Sequence, residues 1–426
     1  MLNFWPEAKF HSKLADIKRM DVFVARQAIF DRKLKIYGYE LLFRSRQVSS
    51  FDGSDSDMAT LQVMANVFLS IGADKMLGGG HAFINCPQSL LADDRLALLP
   101  PKTTVIEILE SVQPAPEVIA ACRSLKAQGY QLALDDFTGQ AGYEPLIDLA
   151  DIIKVEFPAL CVAERKAICK KFQKRGIRML AEKVETREEF EQALDMGYDL
   201  YQGYFFARPA TVRSREVAGY KNHYLSILRE IHKPEVDHKQ IAKLILQEVS
   251  LAHRLLRYVN SAAFERIGDV GSIAEAVALL GDEGIRNWVW LAALPKLASD
   301  KPNELVISAM IRARFCESIA PWTALSGRAS DLFLMGLLSF LDAMLDRPLK
   351  ELLAELHLPR DVERALLGAR PAKDRLATVY ALVRNYEDAE WDSLVKCADQ
   401  VQMRQEALPA LYAQSVAWAE EMFRHG

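Results

Sequence analysis

The chain has 426 residues, half of them hydrophobic and about a quarter charged, with 53 basic and 57 acidic side chains and a formal charge of −4. This composition excludes a mostly disordered chain, and the acidic balance argues against a protein whose main work is coating nucleic acid. At roughly 150 residues per domain, the length predicts two or three domains.

After an N-terminal segment (1–20), short runs rich in branched and aromatic residues alternate with helical patterns. The runs are VFVARQAIF, KIYGYELLFR, HAFINC, TTVIEIL, QLALDDF, IIKVEF, RMLAEKV and LYQGYFF. Helical stretches at 57–73, 114–128, 160–174 and 187–196 separate most of them, which predicts a closed, mostly parallel α/β barrel over 21–213. Only Asp31-Arg32-Lys33-Leu34 separates the first two runs. That is too little for a crossover, so an antiparallel hairpin is expected there.

From Ser214 to the end the strand signal disappears and an all-α domain (214–426) is expected. Ile241, Leu244, Ile245, Leu255, Leu256 and Val259 recur at intervals that suit one helical face, and SIAEAVALLG, EGIRNWVWLAALPKLA, ISAMIRARFCESIA and DLFLMGLLSFLDAML suggest further helices. The arginine-rich stretch RPATVRSREVA is the expected junction. No uncharged stretch reaches the roughly 18–20 apolar residues of a membrane span. The N-terminus, with Glu7, Lys9, Lys13, Asp16 and Lys18, has no apolar signal-peptide core. The six cysteines show no CxxC spacing and read as small core residues of a cytoplasmic protein.

Polar residues recur inside or at the ends of the strand-like runs: Glu40, Asn85, Glu107, Asp135 and Asp136, Lys154, Glu182 and Gln202. In a barrel of parallel strands the carboxyl ends converge on one mouth. Carboxylates crowded there repel unless cations sit among them. Oxygen ligands without histidine or thiolate favour a hard ion, Mg²⁺ or Mn²⁺, and two such ions suit in-line hydrolysis of a phosphodiester.

With these segments in order, the first half resembles the EAL-domain cyclic di-GMP phosphodiesterases. The resemblance spans about 21–210 and rests on YGYELLFR, IEILES, DDF, the lysine in IIKVE, AEKVET and QGYFFARP. It implies that Glu40, Asn85, Glu107 and Asp135 are metal ligands, Asp135 bridging two ions, with Asp136 and Glu182 completing the second ion's surroundings and positioning water. It implies that Lys154 holds that water or offsets charge, and that Gln202 is a polar support at the last strand. Gln27, Leu42 and Arg44 match positions that meet the dinucleotide, Arg44 through a phosphate oxygen.

The family's DDFGTGYSSL is replaced by DDFTGQAGYEPL, and the path from Asp135 to Lys154 is two residues shorter than usual. Lys183 stands in place of a glycine and Glu156 in place of an aspartate. Two functions follow: a phosphodiesterase giving linear pGpG, or a barrel without turnover that acts as a cyclic di-GMP receptor or protein-interaction scaffold. The altered loop is where such barrels often pair, so a homodimer is a further expectation.

The second half resembles the HDOD domain over roughly 214–400, through IAKLILQEVSLAHRLLRYVNSAAF, SIAEAVALLGDEGIRNWVW and MGLLSFLDAML. Ser339-Phe340 stands where metal-dependent HD hydrolases carry a His-Asp pair, which implies a non-catalytic domain serving a protein partner. Asn260 and Ser261, in the family's Asn-Ser segment, are expected to cap or hydrogen-bond. Gly78-Gly79-Gly80 reads as a turn, His232, Asp237 and His238 as solvated surface, and Trp288 and Trp290 as core.

Overall fold

The computed structural model describes residues 22–45, 77, 79–91, 96, 99–140, 142–207, 219–233, 235–260, 270–356, 358–368 and 374–425. The expected segment 1–20, most of the expected helix 57–73's surroundings and that helix itself, Ser261 and the junction 208–218 lie outside the described residues.

Eight strands close into a barrel in chain order: β1 (Val22–Asp31), β2 (Ile36–Ser45), β3 (His81–Cys86), β4 (Thr104–Ile108), β5 (Gln131–Leu134), β6 (Ile152–Glu156), β7 (Arg178–Glu182) and β8 (Leu200–Gln202). The hairpin expected between the first two runs is present. Asp31 accepts from the backbone N–H groups of Lys33 and Lys35, at 2.8 and 2.9 Å, and Leu34 takes a left-handed φ of 57°. As a result β1 runs antiparallel to both β2 and β8, while the other neighbours pair in parallel.

Three expected crossover helices form as Pro116–Ala127, Val162–Gln173 and Arg187–Met196. The last is fixed by a capping box between Thr186 and Glu189 and ended by Gly197 in the left-handed conformation. Cys161 departs from the expected core role: it is exposed at the start of Val162–Gln173, where its backbone N–H meets Glu164 at 2.8 Å, and the other five cysteines are buried. The run LYQGYFF yields only a three-residue strand followed by a 3-10 turn at Tyr204–Ala207. Gly203 explains the break: its φ is 139°, and a β-carbon there would lie 2.1 Å from the Val184 carbonyl oxygen.

Side chains two residues apart on a strand share a face, so the barrel interior is layered. Ile29, Phe83, Val105, Ala133, Ile152, Leu180 and Leu200 form a buried apolar layer across its middle. At one end Tyr37 stacks on His81, and Arg178 bonds the Tyr37 hydroxyl at 2.7 Å and Gln131 at 2.5 Å. At the other end, two residues further along their strands, come Asn85, Glu107, Asp135, Lys154, Glu182 and Gln202, with Gln27 two residues before Ile29 on the reversed β1.

The described remainder from 219 is helical, as expected. The stretch beginning at Ile241 divides into two helices, His238–Leu246 and Val249–Val259. Helix Ile273–Leu297 is kinked at Gly281, φ 66° and ψ −176°, and buries Trp288 and Trp290. DLFLMGLLSFLDAML breaks at Ser339-Phe340 into Ala329–Leu338 and Leu341–Leu345.

These helices dock on the β1–β2 hairpin. Phe23 stacks on Trp391 with ring centroids 5.4 Å apart, and the Tyr386 hydroxyl both accepts from Val24 N–H (3.2 Å) and donates to Val24 C=O (3.0 Å). Arg26, on the outer face of β1, lies 3.0 Å from Glu420 and 3.9 Å from Glu304, which also accepts from the Tyr39 hydroxyl at 2.9 Å. All three charged groups are buried. Removing one partner of such a cluster leaves uncompensated charge, so Arg26→Ala is expected to lower stability by about 3–5 kcal/mol. Arg26→Met combined with Glu304→Gln and Glu420→Gln is expected to lose far less. Urea-unfolding midpoints of the single and triple variants check this.

Candidate functional site

The polar layer above the apolar floor is a cup centred on Lys154, which is 1% exposed. Its ammonium lies 2.6 Å from Glu107, 2.8 Å from Asp135, 2.9 Å from Glu182 and 3.7 Å from Glu40. Amides fix the Glu40 carboxylate: Asn85 donates to one oxygen at 2.9 Å, and Gln202 to the other at 2.5 Å. The same Gln202 amide also donates to Gln27 at 2.8 Å. Seven of the expected site residues thus meet in one network with Gln27: Glu40, Asn85, Glu107, Asp135, Lys154, Glu182 and Gln202. The 2.6 Å approach to Glu107 is the tightest of these ion pairs.

Asp136 stands beside this network rather than in it. It follows the last residue pair of β5 at a left-handed φ of 41°, and its carboxylate joins those of Asp135 and Glu182, one oxygen from each lying within 4.8 Å of the others. Leu42 is half-buried on β2 opposite Ala25 and packs on the core. Arg44 pairs through its backbone with Phe23; its side chain lies outside the described residues.

Four carboxylates around one ammonium leave an excess of negative charge in a dry setting. Burial pushes Glu107 well above the ordinary carboxylate range although Lys154 pulls it down, and burial pushes Glu182 up to about 8. Burial and the neighbouring Asp135 raise Asp136. For Glu40 burial also acts upward, but Lys154 and the hydrogen bonds from Gln202 and Asn85 outweigh it and bring the value down. Burial alone would lower Lys154; the surrounding acids win and hold it charged.

The donor set suits a hard divalent cation. Every candidate ligand offers oxygen, and the buried Glu182 Oε2 and Asn85 Oδ1 have no hydrogen-bond partner. A cation held by Asp135, Asp136 and Glu182 would supply the charge the cup lacks.

A family model for the EAL domain matches residues 59–209, and one for the HDOD domain matches 220–347. The protein YuxH of Bacillus subtilis, described as uncharacterized, is 33% identical over 411 residues, covering 95% of this chain and 99% of that protein. The cyclic di-GMP phosphodiesterase CdgJ of Vibrio cholerae is 34% identical over 378 residues, 87% of this chain and 86% of that one. This chain belongs to the EAL–HDOD family. Among solved structures, a manganese and cyclic di-GMP complex of Klebsiella pneumoniae BlrP1 is 26% identical, with a TM-score of 0.38 over 44% of this chain and 55% of that one.

In this EAL–HDOD protein, the two departures at the barrel rim meet each other. Lys183, at a left-handed φ of 53°, pairs with Glu156 at 3.0 Å. Glu156 lies two residues beyond Lys154 on β6, and Lys183 directly follows the last residue of β7, so both lie at the rim; their pairing was not foreseen. In the HDOD half, Arg312 packs against Ser339-Phe340. It donates to Ser339 at 2.9 Å and Glu387 at 2.7 Å, and lies over the Phe340 ring at 4.0 Å. Asn260 bonds both backbone groups of Val270, the hydrogen-bonding role expected for it.

The histidine cluster needs a correction. Asp237 caps helix His238–Leu246, and His238 meets Asp282 at 2.7 Å on the surface. His232, however, is buried, because it ends helix Gly219–Ile231 against Trp290, whose indole N–H points at its Nε2 from 3.4 Å.

A carboxyl group whose value is raised in the folded state contributes stability at low pH that is lost as pH rises through that folded value. In chelator, the melting temperature is therefore expected to fall as pH rises from about 4.5 to about 8, the range over which Glu182 changes. Glu182→Gln is expected to flatten this fall. Melting curves across pH on both proteins check it.

Proposed function

We propose that the barrel hydrolyses cyclic di-GMP to linear pGpG in a reaction that depends on two divalent cations, Mg²⁺ or Mn²⁺. The observation that carries this reading is the convergence of Glu40, Asn85, Glu107, Asp135 and Glu182 around Lys154 at the mouth of one barrel, with Asp136 beside them. These six oxygen-bearing residues would hold the ions. Bound divalent cations would make water a nucleophile at neutral pH and offset charge on the phosphoryl oxygens.

The chain's own groups set the geometry. Gln202 and Asn85 hold the Glu40 carboxylate from both sides. Lys154, buried and kept charged, holds the attacking water or balances charge that develops on the phosphate. Asp136 and Glu182, beside Asp135 at the rim, would complete the surroundings of the second ion and help position the attacking water. Gln27 and Leu42, with Arg44 by its match to the family motif, would meet the dinucleotide. The likeness to CdgJ supports the same substrate.

The HDOD half would bind a protein partner and perform no chemistry, since Arg312, Ser339 and Phe340 offer no metal site. No helix among the described residues is long and apolar enough to cross a membrane, and a cytoplasmic location accords with a nucleotide substrate. Purified protein with Mn²⁺ is expected to convert cyclic di-GMP to pGpG, read by chromatography. Glu40→Ala is expected to lower the rate at least about a hundredfold with its circular dichroism unchanged, in line with what small misplacements cost. Tight binding of intact cyclic di-GMP without turnover would establish the receptor reading instead.

A further inference from the structure

Among the described residues outside glycine, only six carry a positive φ, and two of them, Asp136 and Lys183, sit at this one mouth. A left-handed backbone disfavours a residue with a β-carbon, and such strain gathers where a side chain is needed in a particular place. For Asp136 the need is plain, since the strained backbone puts its carboxylate beside those of Asp135 and Glu182. For Lys183 it is not a packing need, because the side chain is 58% exposed. What the strained position achieves is an ammonium at the rim, tied to Glu156 at 3.0 Å. Lys183 and Asp136 act on each other electrostatically, and Glu182 also acts on Lys183.

We propose that Lys183 is a built-in counter-charge beside the Asp135, Asp136 and Glu182 cluster, so that its ammonium weakens metal binding there, Glu156 tempers that effect, and the two together set the metal concentration at which the site fills. The proposal rests on the metal-dependent reading above. A divalent ion entering that cluster meets a positive charge already in place, and the repulsion across a partly solvated rim is moderate. Glu156 restrains the lysine by drawing its ammonium toward β6. Without Glu156 the ammonium turns to the remaining acids, and the site loses a negative neighbour as well.

Calorimetric titration of the full chain with Mn²⁺ tests this without relying on turnover. Lys183→Met is expected to bind the weaker Mn²⁺ ion about 5–10-fold more tightly than the parent at low salt, with the gap shrinking as salt is raised. Lys183→Arg, which keeps the charge, is expected to match the parent. Glu156→Gln is expected to bind more weakly than the parent. Lys183→Gly, which relieves the backbone, keeps the test open if the methionine variant folds poorly, and is expected to show the same tightening. Mn²⁺ binding of equal strength in parent, Lys183→Met and Lys183→Gly overturns the role of Lys183 while leaving the metal-dependent reading in place. No Mn²⁺ binding by any of these proteins overturns both.

Discussion

Carboxylates held a few ångströms apart above a dry floor repel one another, and the barrel's upper half is organised around that repulsion. Glu107 is fully buried, Glu40 and Glu182 nearly so, and each lies on a different strand, so none can relax without moving the sheet. Lys154 partly relieves the excess by reaching three of them within 3 Å. Burial raises Glu107 and Glu182 despite the pull of Lys154, so one ammonium does not offset the crowding of these acids. A cup in that condition favours any positive species of the right size, which is why the same geometry that costs stability when metal-free suits cations and a phosphate to be hydrolysed.

The apolar layer beneath makes this possible. Ile29, Phe83, Val105, Ala133, Ile152, Leu180 and Leu200 exclude water from below, so the cup opens in one direction only. Period two along the strands then dictates that each strand delivers its next inward side chain at the level of the Lys154 ammonium. The reversal of β1 brings an amide, Gln27, to that level from the opposite direction. On the neighbouring position of the same strand, Arg26 points outward into Glu420 and Glu304. Consecutive residues of one strand therefore join the docked helices on one face and, through Gln202, the Glu40 carboxylate on the other. A shift in the helical half strong enough to move β1 has a short physical route to the cup.

Much of this was legible in the chain. Polar residues inside or at the ends of strand-like runs stand out, and the convergence of the carboxyl ends of parallel strands located Asn85, Glu107, Lys154 and Glu182 at one mouth. Asp135 and Asp136 were found although β5 stops at Leu134, because their order after QLAL still places them at the mouth. The limits of LYQGYFF were not legible, since the break at Gly203 comes from the backbone of Val184, on a different strand connection. Nor were the partners of Arg26, one of which lies 394 residues away. A single arginine in a strand run reads as an exposed edge until the helices that cover it are known. His232 was misread for a similar reason: its polar neighbours in sequence say nothing of Trp290, which covers it.

The helical half is held at one point by a buried cation. At Ser339-Phe340 the chain breaks between two helices, a place where two adjacent side chains can be presented together. Here they present a hydroxyl and a ring, and both are taken by Arg312, whose charge is balanced by Glu387. A guanidinium buried in that spot repels a metal ion and binds the two helices to Asn303–Ile319 and Arg375–Glu387. Glu304, in the first turn of the first of those helices, is a partner of Arg26. Arg312 and Glu304 therefore lie on one helix, which ties the break at Ser339-Phe340 to β1 and to the contact between the two halves.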